Sequence, residues 1–298
     1  MKPTITVFTP TYNRAYCLHN GYEALCRQTS KDFLWLIVDD GSTDNTKELV
    51  ESWQKNSNGF EIRYLYKENG GLASGYNAAI SVADTELCVC VDSDDYLTDD
   101  AIEKVVAFWN KYRNDEYAGV VGLDCTPDGE IIGDPLPNQK TVNLIDLLVG
   151  KYSIINGDRK NFVRTDLYKS VAPMKEFPDE RDFNPHYLHI KISKNYDFLV
   201  LNEKLCFVDY QSDGMTNTVF KQYLRSPKSF REQRLLDMSL KGVPFQFTVK
   251  KTIHYVSSCI LSKQPCISAS PRKLLTILMY PFGAALTVYL MHTQREHV

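Results

Sequence analysis

No Gly-x-x-x-x-Gly-Lys loop occurs anywhere in the 298 residues, so the chain is not a P-loop enzyme. No Gly-x-Gly-x-x-Gly follows the first apolar run, which argues against a dinucleotide cofactor. The eight cysteines include no Cys-x-x-Cys pair, and no Cys/His spacing resembles a zinc site. Scattered this widely, they fit a reducing compartment rather than a disulfide framework. Cys88 and Cys90 sit in an apolar run and read as small core residues. Internal repeats and low-complexity tracts are missing. Met1-Lys2-Pro3-Thr4 runs straight into a strand pattern, so the expectation is a cytoplasmic chain without a secretory leader. With 43% hydrophobic and 24% charged residues, the composition excludes a disordered or collagen-like polymer.

What is present is unevenly distributed. The formal charge of −3 conceals a gradient. Residues 1–100 carry 8 Lys/Arg against 16 Asp/Glu, residues 101–215 carry 14 against 18, and residues 216–298 carry 12 against 3. An acidic front and a basic rear imply two jobs, with the rear suited to an anionic surface.

The first hundred residues alternate strand and helix signals. Ile5–Phe8, Leu34–Val38, Ile62–Tyr66 and Leu87–Val91 read as strands. Helical patterns run through Leu18 to Leu25, from an Asp44 N-cap through Trp53, and over Leu72–Val82. This order predicts right-handed βαβ units and a mostly parallel sheet covered by helices. Beyond it, Ala101–Tyr112 reads as a helix and Ala118–Leu123 as a strand, with a hairpin expected at Thr126-Pro127-Asp128-Gly129. Ile190–Asn195 reads as helical, Leu199–Asn202 and Leu205–Tyr210 as extended. From Ser226 the chain reads as all helix, punctuated by Pro244, Pro265 and Pro271.

Three polar clusters follow predicted strands: Thr9–Asn13, Asp39-Asp40-Gly41-Ser42 and Asp92-Ser93-Asp94-Asp95. Ligands of an open parallel sheet bind beyond the carboxyl ends of its strands, so the three should converge on one crevice. The Asp-x-Asp spacing suits a hard divalent cation that completes its shell with phosphate oxygens. Asp39 and Asp40 suit a ribose hydroxyl or a base N–H. The crevice reads as a metal–nucleotide site.

With these residues assembled, the chain resembles the family 2 inverting glycosyltransferases of the GT-A fold, of bacterial polysaccharide type. The matching stretches are Val7-Phe8-Thr9-Pro10-Thr11-Tyr12-Asn13-Arg14, Ile37-Val38-Asp39-Asp40-Gly41-Ser42-Thr43-Asp44, Asn69-Gly70-Gly71-Leu72-Ala73 with Asn77, and Val91-Asp92-Ser93-Asp94-Asp95-Tyr96. They occur in the family's order over about residues 3–110. A looser match at Gly157-Asp158, Arg164-Thr165 and Asn202-Glu203-Lys204-Leu205 extends it to about residue 215. The resemblance implies a Rossmann-like GT-A domain with a nucleotide-sugar-binding half (1–110) and an acceptor-binding half (111–215). A basic helical region (216–298) follows.

The implied reaction moves a sugar, with inversion, from a nucleotide diphosphate sugar, commonly a UDP-sugar, to an acceptor hydroxyl. Thr9, Tyr12 and Asp40 would hold base and ribose, and Asp92 would contact the ribose. Asp94, with Asp95, would bind Mn²⁺ or Mg²⁺. Thr11, Asp39, Gly71, Asn77 and Ser93 complete the donor-binding candidates, and Arg14 and Lys67 would supply positive charge. Tyr76 stands where many relatives carry an Arg. The general base aligns with His186, a departure from the family's Asp or Glu, and Glu180 and Asp182 are the alternatives. If no base survives, the alternative function is a nucleotide-sugar-binding scaffold subunit. An aspartyl-nucleophile phosphatase is disfavoured by Tyr96, and a nucleotidyltransferase by the missing basic Gly-rich loop.

Leu274 to Met291 is 18 residues without a charge, flanked by Arg272-Lys273 and by His292 and Arg295. It reads either as a core helix pair or as a helix–break–helix at a membrane interface, broken at Pro281 and Gly283. The basic charge favours the membrane. Lys221, Arg225, Lys228, Arg231 and Arg234 are spaced to share one helix face. Aromatics are not interleaved with these charges, which disfavours nucleic acid. The partners expected are a nucleotide sugar, a glycan or lipid-linked acceptor and an anionic membrane. The expected location is the cytoplasm, peripheral at the inner face of the cell membrane.

Overall fold

The computed structural model describes residues 2–209 and 218–293. The front alternates as β1 (Ile5–Thr11), α1 (Ala15–Arg27), β2 (Phe33–Asp39), α2 (Thr46–Gln54), β3 (Glu61–Tyr66), α3 (Leu72–Val82) and β4 (Leu87–Cys90). It continues as β5 (Tyr96–Leu97), α4 (Ala101–Tyr112), β6 (Tyr117–Cys125), β7 (Thr141–Val142), α5 (Leu144–Leu148), β8 (Arg159–Arg164), α6 (Thr165–Val171), α7 (His186–Ser193) and β9 (Asp197–Phe207). The rear holds α8 (Val219–Arg225), α9 (Pro227–Ser239), α10 (Phe245–Leu261) and α11 (Lys273–Thr293).

The chain divides into two compact units. The first, Met1–Asn69, Ser74–Met174 and Leu188–Tyr210, holds the sheet. The second, Gly70–Ala73, Lys175–Tyr187 and Gln211–Val298, holds the rear helices and the loop before α7.

In the first unit nine strands form one sheet in the order β3-β2-β1-β4-β8-β6-β9-β5, with β7 on β9. β1 pairs in parallel with both β2 and β4, so their carboxyl ends share one edge. β2 is buried at every position, as its uninterrupted Phe-Leu-Trp-Leu-Ile-Val run requires in a sheet covered on both faces. Beyond β4 the sheet becomes mixed, because β8 runs antiparallel to β4 and β6 while β9 returns parallel to β6. One core gathers Leu18 and Leu25 of α1, Trp35 of β2, Val105 and Trp109 of α4 and Phe162 of β8. Burying a side chain of this size contributes about 1.5–3 kcal/mol. All eight cysteines are unpaired, and Cys88 is buried in β4.

Several local expectations change. The turn at Thr126–Gly129 forms, but β6 ends at Cys125 and only a single bridge, Cys125 to Ile131, follows it. The two extended segments after 199 are one strand, β9, running through Asn202; Tyr210 lies outside the described residues. The N-cap of α2 is Asn45. Asp44 serves beside it, accepting from the Thr46 amide at 3.1 Å and from the Ala15 amide of α1 at 3.1 Å. Burial pushes the Asp44 carboxyl up, but these bonds and the Thr46 hydroxyl outweigh it and hold it below the ordinary value.

In the second unit the expected basic helix face is not one face. Ser226-Pro227 separates Lys221 and Arg225 on α8 from Lys228, Arg231 and Arg234 on α9. These charges are largely turned to internal use. Arg225 pairs with Asp182, Lys228 with Asp179 at 2.6 Å, Arg231 lies over Tyr255, and Arg234 pairs with Asp237 at 3.4 Å. The expected break in the apolar tail is also absent, since α11 continues through Pro281. Its flanking Arg295 lies outside the described residues.

Candidate active site

The three polar clusters meet at the carboxyl edge of β1, β2 and β4. Thr11 stands opposite Asp39 in the β1–β2 register, and Arg14 reaches within 3.9 Å of Asp94 beyond β4. Two residues in left-handed conformation shape the loops. Asn13 has φ +52°, a conformation Asn tolerates. Its side-chain oxygen accepts from the Thr43 and Asp44 amides at 2.7 and 3.3 Å, and its own amide donates to Ser42 Oγ at 2.9 Å. Gly41 has φ +86°, and a Cβ there would lie 2.8 Å from the Asn69 nitrogen. The loops are thus knitted together by their own side chains.

This separates the donor-binding candidates. Asp40 is 5% exposed and pairs with Lys67 at 2.7 Å, while Tyr12 is half exposed. Thr11 is buried with its hydroxyl unpartnered, and Asp92 is exposed with Ser93 and Asp94 partly so. These sit at the strand ends or in the loops that follow. Four others are turned to structural use. Thr9 accepts a hydrogen bond from the Trp35 indole at 3.0 Å inside the core. Asp39 is 1% exposed, accepting from the Ser42 amide at 2.7 Å and from the Tyr64 hydroxyl. Asn77 exchanges bonds with the Met174 backbone at 2.9 and 2.8 Å. Gly71, in the second unit, has φ +82°, where a Cβ would strike the Arg181 backbone at 2.6 Å. Tyr76 is buried, with its ring edge-on to Phe8 at 5.0 Å, so it replaces the usual arginine with packing.

Asp95 is the clearest correction to the expected metal pair. It turns inward, 7% exposed, with Lys160 Nζ 3.6 Å away and Asp124 3.8 Å beyond that ammonium. Burial, then the neighbouring carboxylates, raise the Asp95 pKa despite Lys160. Burial likewise raises Asp124, to about 6. Burial also opposes the Lys160 charge, yet Asp124, the Cys206 sulfur and Asp95 outweigh it and hold its pKa well above the ordinary lysine value. Lys160 was not legible as a site residue: its strand, Arg-Lys-Asn-Phe-Val-Arg, has the look of a solvated edge.

Among the described residues no three His, Cys, Asp or Glu side chains form a metal cage. Asp92 and Asp94 fit the other arrangement. They are hard oxygen donors at the rim of the crevice, suited to a divalent cation that takes one or two carboxylates and fills its shell from a diphosphate.

In the second unit the loop before α7 is stapled to the helices behind it. Glu180 accepts from the Lys228 and Ser229 amides at 2.7 and 2.6 Å and from Ser229 Oγ at 2.7 Å, so it caps the N-terminus of α9. Asp182 receives a bidentate grip from Arg225 and a bond from Ser226 Oγ at 2.8 Å. Both carboxylates are about 5% exposed and satisfied internally, which removes them as proton acceptors. His186 opens α7, half-buried, with its amide donating to Asn184 Oδ1 at 2.8 Å. Burial lowers its pKa, partly offset by Asp237. The imidazole is therefore neutral at pH 7 and able to accept a proton.

The helix-flanked nine-stranded sheet, with carboxylates at its strand ends, has the GT-A fold of its glycosyltransferase neighbours. Residues 6–166, more than half the chain, match the family described as Glycosyl transferase family 2, and the chain belongs to that family. Chondroitin synthase of Pasteurella multocida is 33% identical over 132 residues, 44% of this chain and 14% of its own length. The GalNAc(5)-diNAcBac-PP-undecaprenol beta-1,3-glucosyltransferase of Campylobacter jejuni is 25% identical over 222 residues, 72% of this chain and 67% of its own length. The matched stretches span 13%, 14% and 42% of three such curated relatives. Among solved structures, S. aureus TarS 1-349 in complex with UDP-GlcNAc superposes with a TM-score of 0.66 at 16% identity, covering 99% of this chain and 92% of that one. Mannosyltransferase PcManGT from Pyrobaculum calidifontis, in complex with GDP-Man and Mn²⁺, gives 0.59 at 14% identity over 97% and 88%.

Proposed function

We propose that the chain is a metal-dependent inverting glycosyltransferase that moves a sugar from a nucleotide diphosphate sugar to an acceptor hydroxyl. The observation that carries the reading is the convergence of Tyr12, Asp40, Asp92 and Asp94 at one sheet edge in a family 2 chain. Tyr12, Thr11 and Asp40, with Lys67 beside it, would take base and ribose. Asp92 and Asp94 would hold Mn²⁺ or Mg²⁺ against the diphosphate. The bound cation would act as a Lewis acid, neutralising charge on the departing nucleoside diphosphate.

Inversion requires a base on the face of the sugar opposite the leaving group. We assign it to His186, since Glu180 and Asp182 are bonded internally. The acceptor oxygen bonds to the anomeric carbon as its proton passes to the imidazole. The bond from that carbon to the diphosphate oxygen breaks, and its electron pair leaves with the nucleotide. The likeness to a TarS–UDP-GlcNAc complex supports a UDP-sugar donor. The undecaprenol-linked acceptor named for the Campylobacter relative supports a lipid-linked or polysaccharide acceptor in envelope or capsule glycan synthesis. It also supports a place at the inner face of the membrane. In this reading residues 1–110 bind the donor and 111–215 the acceptor.

Thermal-shift screening of nucleotide sugars with Mn²⁺ identifies the donor, and a pH–rate profile then tests the base. His186→Ala should lower kcat about 10²–10⁴-fold with donor KM little changed. In the wild type the rate should fall only below the ordinary histidine range, because the His186 pKa is lowered. An unchanged rate in His186→Ala removes it from the mechanism.

A further inference from the structure

Helix α11 is packed inside out. The side it turns to the protein carries Thr276, Gly283, Thr287 and Leu290. Its outer side carries Leu274 (72% exposed), Ile277, Leu278, Phe282, Val288 (67% exposed) and Tyr289. A soluble helix does the reverse, burying its apolar stripe and exposing hydroxyls. The contact with α10 has the same character. Gly283 sits so close that a Cβ there would lie 2.5 Å from Val256, and Thr287 Oγ1 lies 2.9 Å from Ser257 Oγ. The Thr276 and Thr287 hydroxyls also return to the carbonyls of Arg272 and Gly283, at 3.0 and 2.9 Å. The small residue and the threonines that satisfy their own helix let α11 approach α10 closely while its large apolar side chains stay outside.

We infer that the outer face of α11 is a docking surface for an anionic lipid bilayer, lying in its interfacial plane. The inference rests on the membrane part of the proposed function and specifies the element that makes the contact. Charge selects lipid over a second copy of the chain. Residues 218–293 hold eleven Lys/Arg against two Asp/Glu, so two copies repel while an anionic surface attracts. Lys263, Ile267, Arg272 and Lys273 are exposed along the segment that leads into the helix. The 21 residues of α11 are long enough to cross a membrane, but its midpoint excludes that. Gly283 rests on Ile253 and Val256, and Lys250, Lys251 and His254 lie at that same level of α10. A spanning α11 would draw the exposed Lys250 to the bilayer centre, the costliest place for charge; an in-plane α11 leaves it in water.

Flotation of the full chain with phosphatidylglycerol-containing and with pure phosphatidylcholine vesicles tests this. Binding to the anionic vesicles should exceed binding to the neutral ones more than tenfold and weaken with salt. L278E/F282E/V288E should reduce it to the neutral level while donor binding, measured by calorimetry on the same preparation, persists. Should that variant fail to fold, K263Q/K273Q, at two exposed positions, should still lower anionic-vesicle binding about tenfold. Either variant binding like the wild type overturns the proposal. So does a wild type that ignores vesicles and dimerises through this face, with L278E/F282E/V288E monomeric by light scattering. Loss of vesicle binding with donor binding intact leaves the enzymatic reading standing, whereas lost donor binding in the wild type sinks that reading alone.

Discussion

The sheet unit and the rear helices handle polarity in opposite ways. At the β1–β2–β4 edge, apolar runs fill the core and carboxylates emerge only where each strand stops. Those that fail to emerge, Asp39 and Asp95, are matched inside by Tyr64 and Lys160. On α11, two threonines and a glycine share the buried side with Leu290, while Leu274, Phe282 and Val288 face out. On the proposed reading, the neighbouring solvent sets what counts as inside: one part of the chain faces water and a charged ligand, and the other would face water on one side and lipid on the other.

The largest effect that sharpens this contrast is at the crevice rim. Asp94→Ala should drop sugar transfer at least about 10³-fold with little change in melting temperature, since Asp94 is partly exposed and its ion pair with Arg14 is long, 3.9 Å. A folded variant with normal turnover would break the metal assignment. Next is Lys160→Met, which leaves Asp95 and Asp124 buried without their cation. Removing one partner from such a cluster costs about 3–5 kcal/mol, readable as a lower urea midpoint; an unaltered midpoint would show that the three groups do not depend on each other.

In the second unit, Glu180→Gln should cost about 1 kcal/mol by weakening the cap on α9, with kcat retained at temperatures where the variant is folded. A collapse of kcat in a stable Glu180→Gln would return Glu180 to the list of bases. The smallest effect concerns His254, whose pKa burial and then Arg234 and Lys251 lower to about 4. The unfolded chain therefore binds a proton that the folded one refuses between about pH 6.5 and 4, so stability falls as pH drops through that window. His254→Gln should flatten the melting temperature between pH 7 and 5 relative to the wild type.

Where an element's own residues determine it, the sequence made it visible. α3 and α4 have the bounds their patterns predict, and three turns of Asp and Gly after apolar runs point to one sheet edge. What stayed hidden depends on partners far along the chain. Asp39, Asp94 and Asp95 look alike in a strand-end cluster; only the position of Lys160 shows that Asp95 faces inward. Glu180 and Asp182 read as acids near a helix start because Ser226 to Ser229, which use them up, lie in another element. The orientation of α11 was hidden for a different reason. Three of the four residues on its buried side are threonine and glycine, which a hydropathy pattern cannot distinguish from solvent-facing positions.

The donor crevice is tested most directly by calorimetric titration of UDP-GlcNAc into the full chain with and without Mn²⁺, for wild type and Asp94→Ala. Saturable binding that requires Mn²⁺ and disappears in Asp94→Ala is expected. Binding of equal strength in the variant, or in the presence of excess chelator, would contradict a metal–donor site at Asp92 and Asp94.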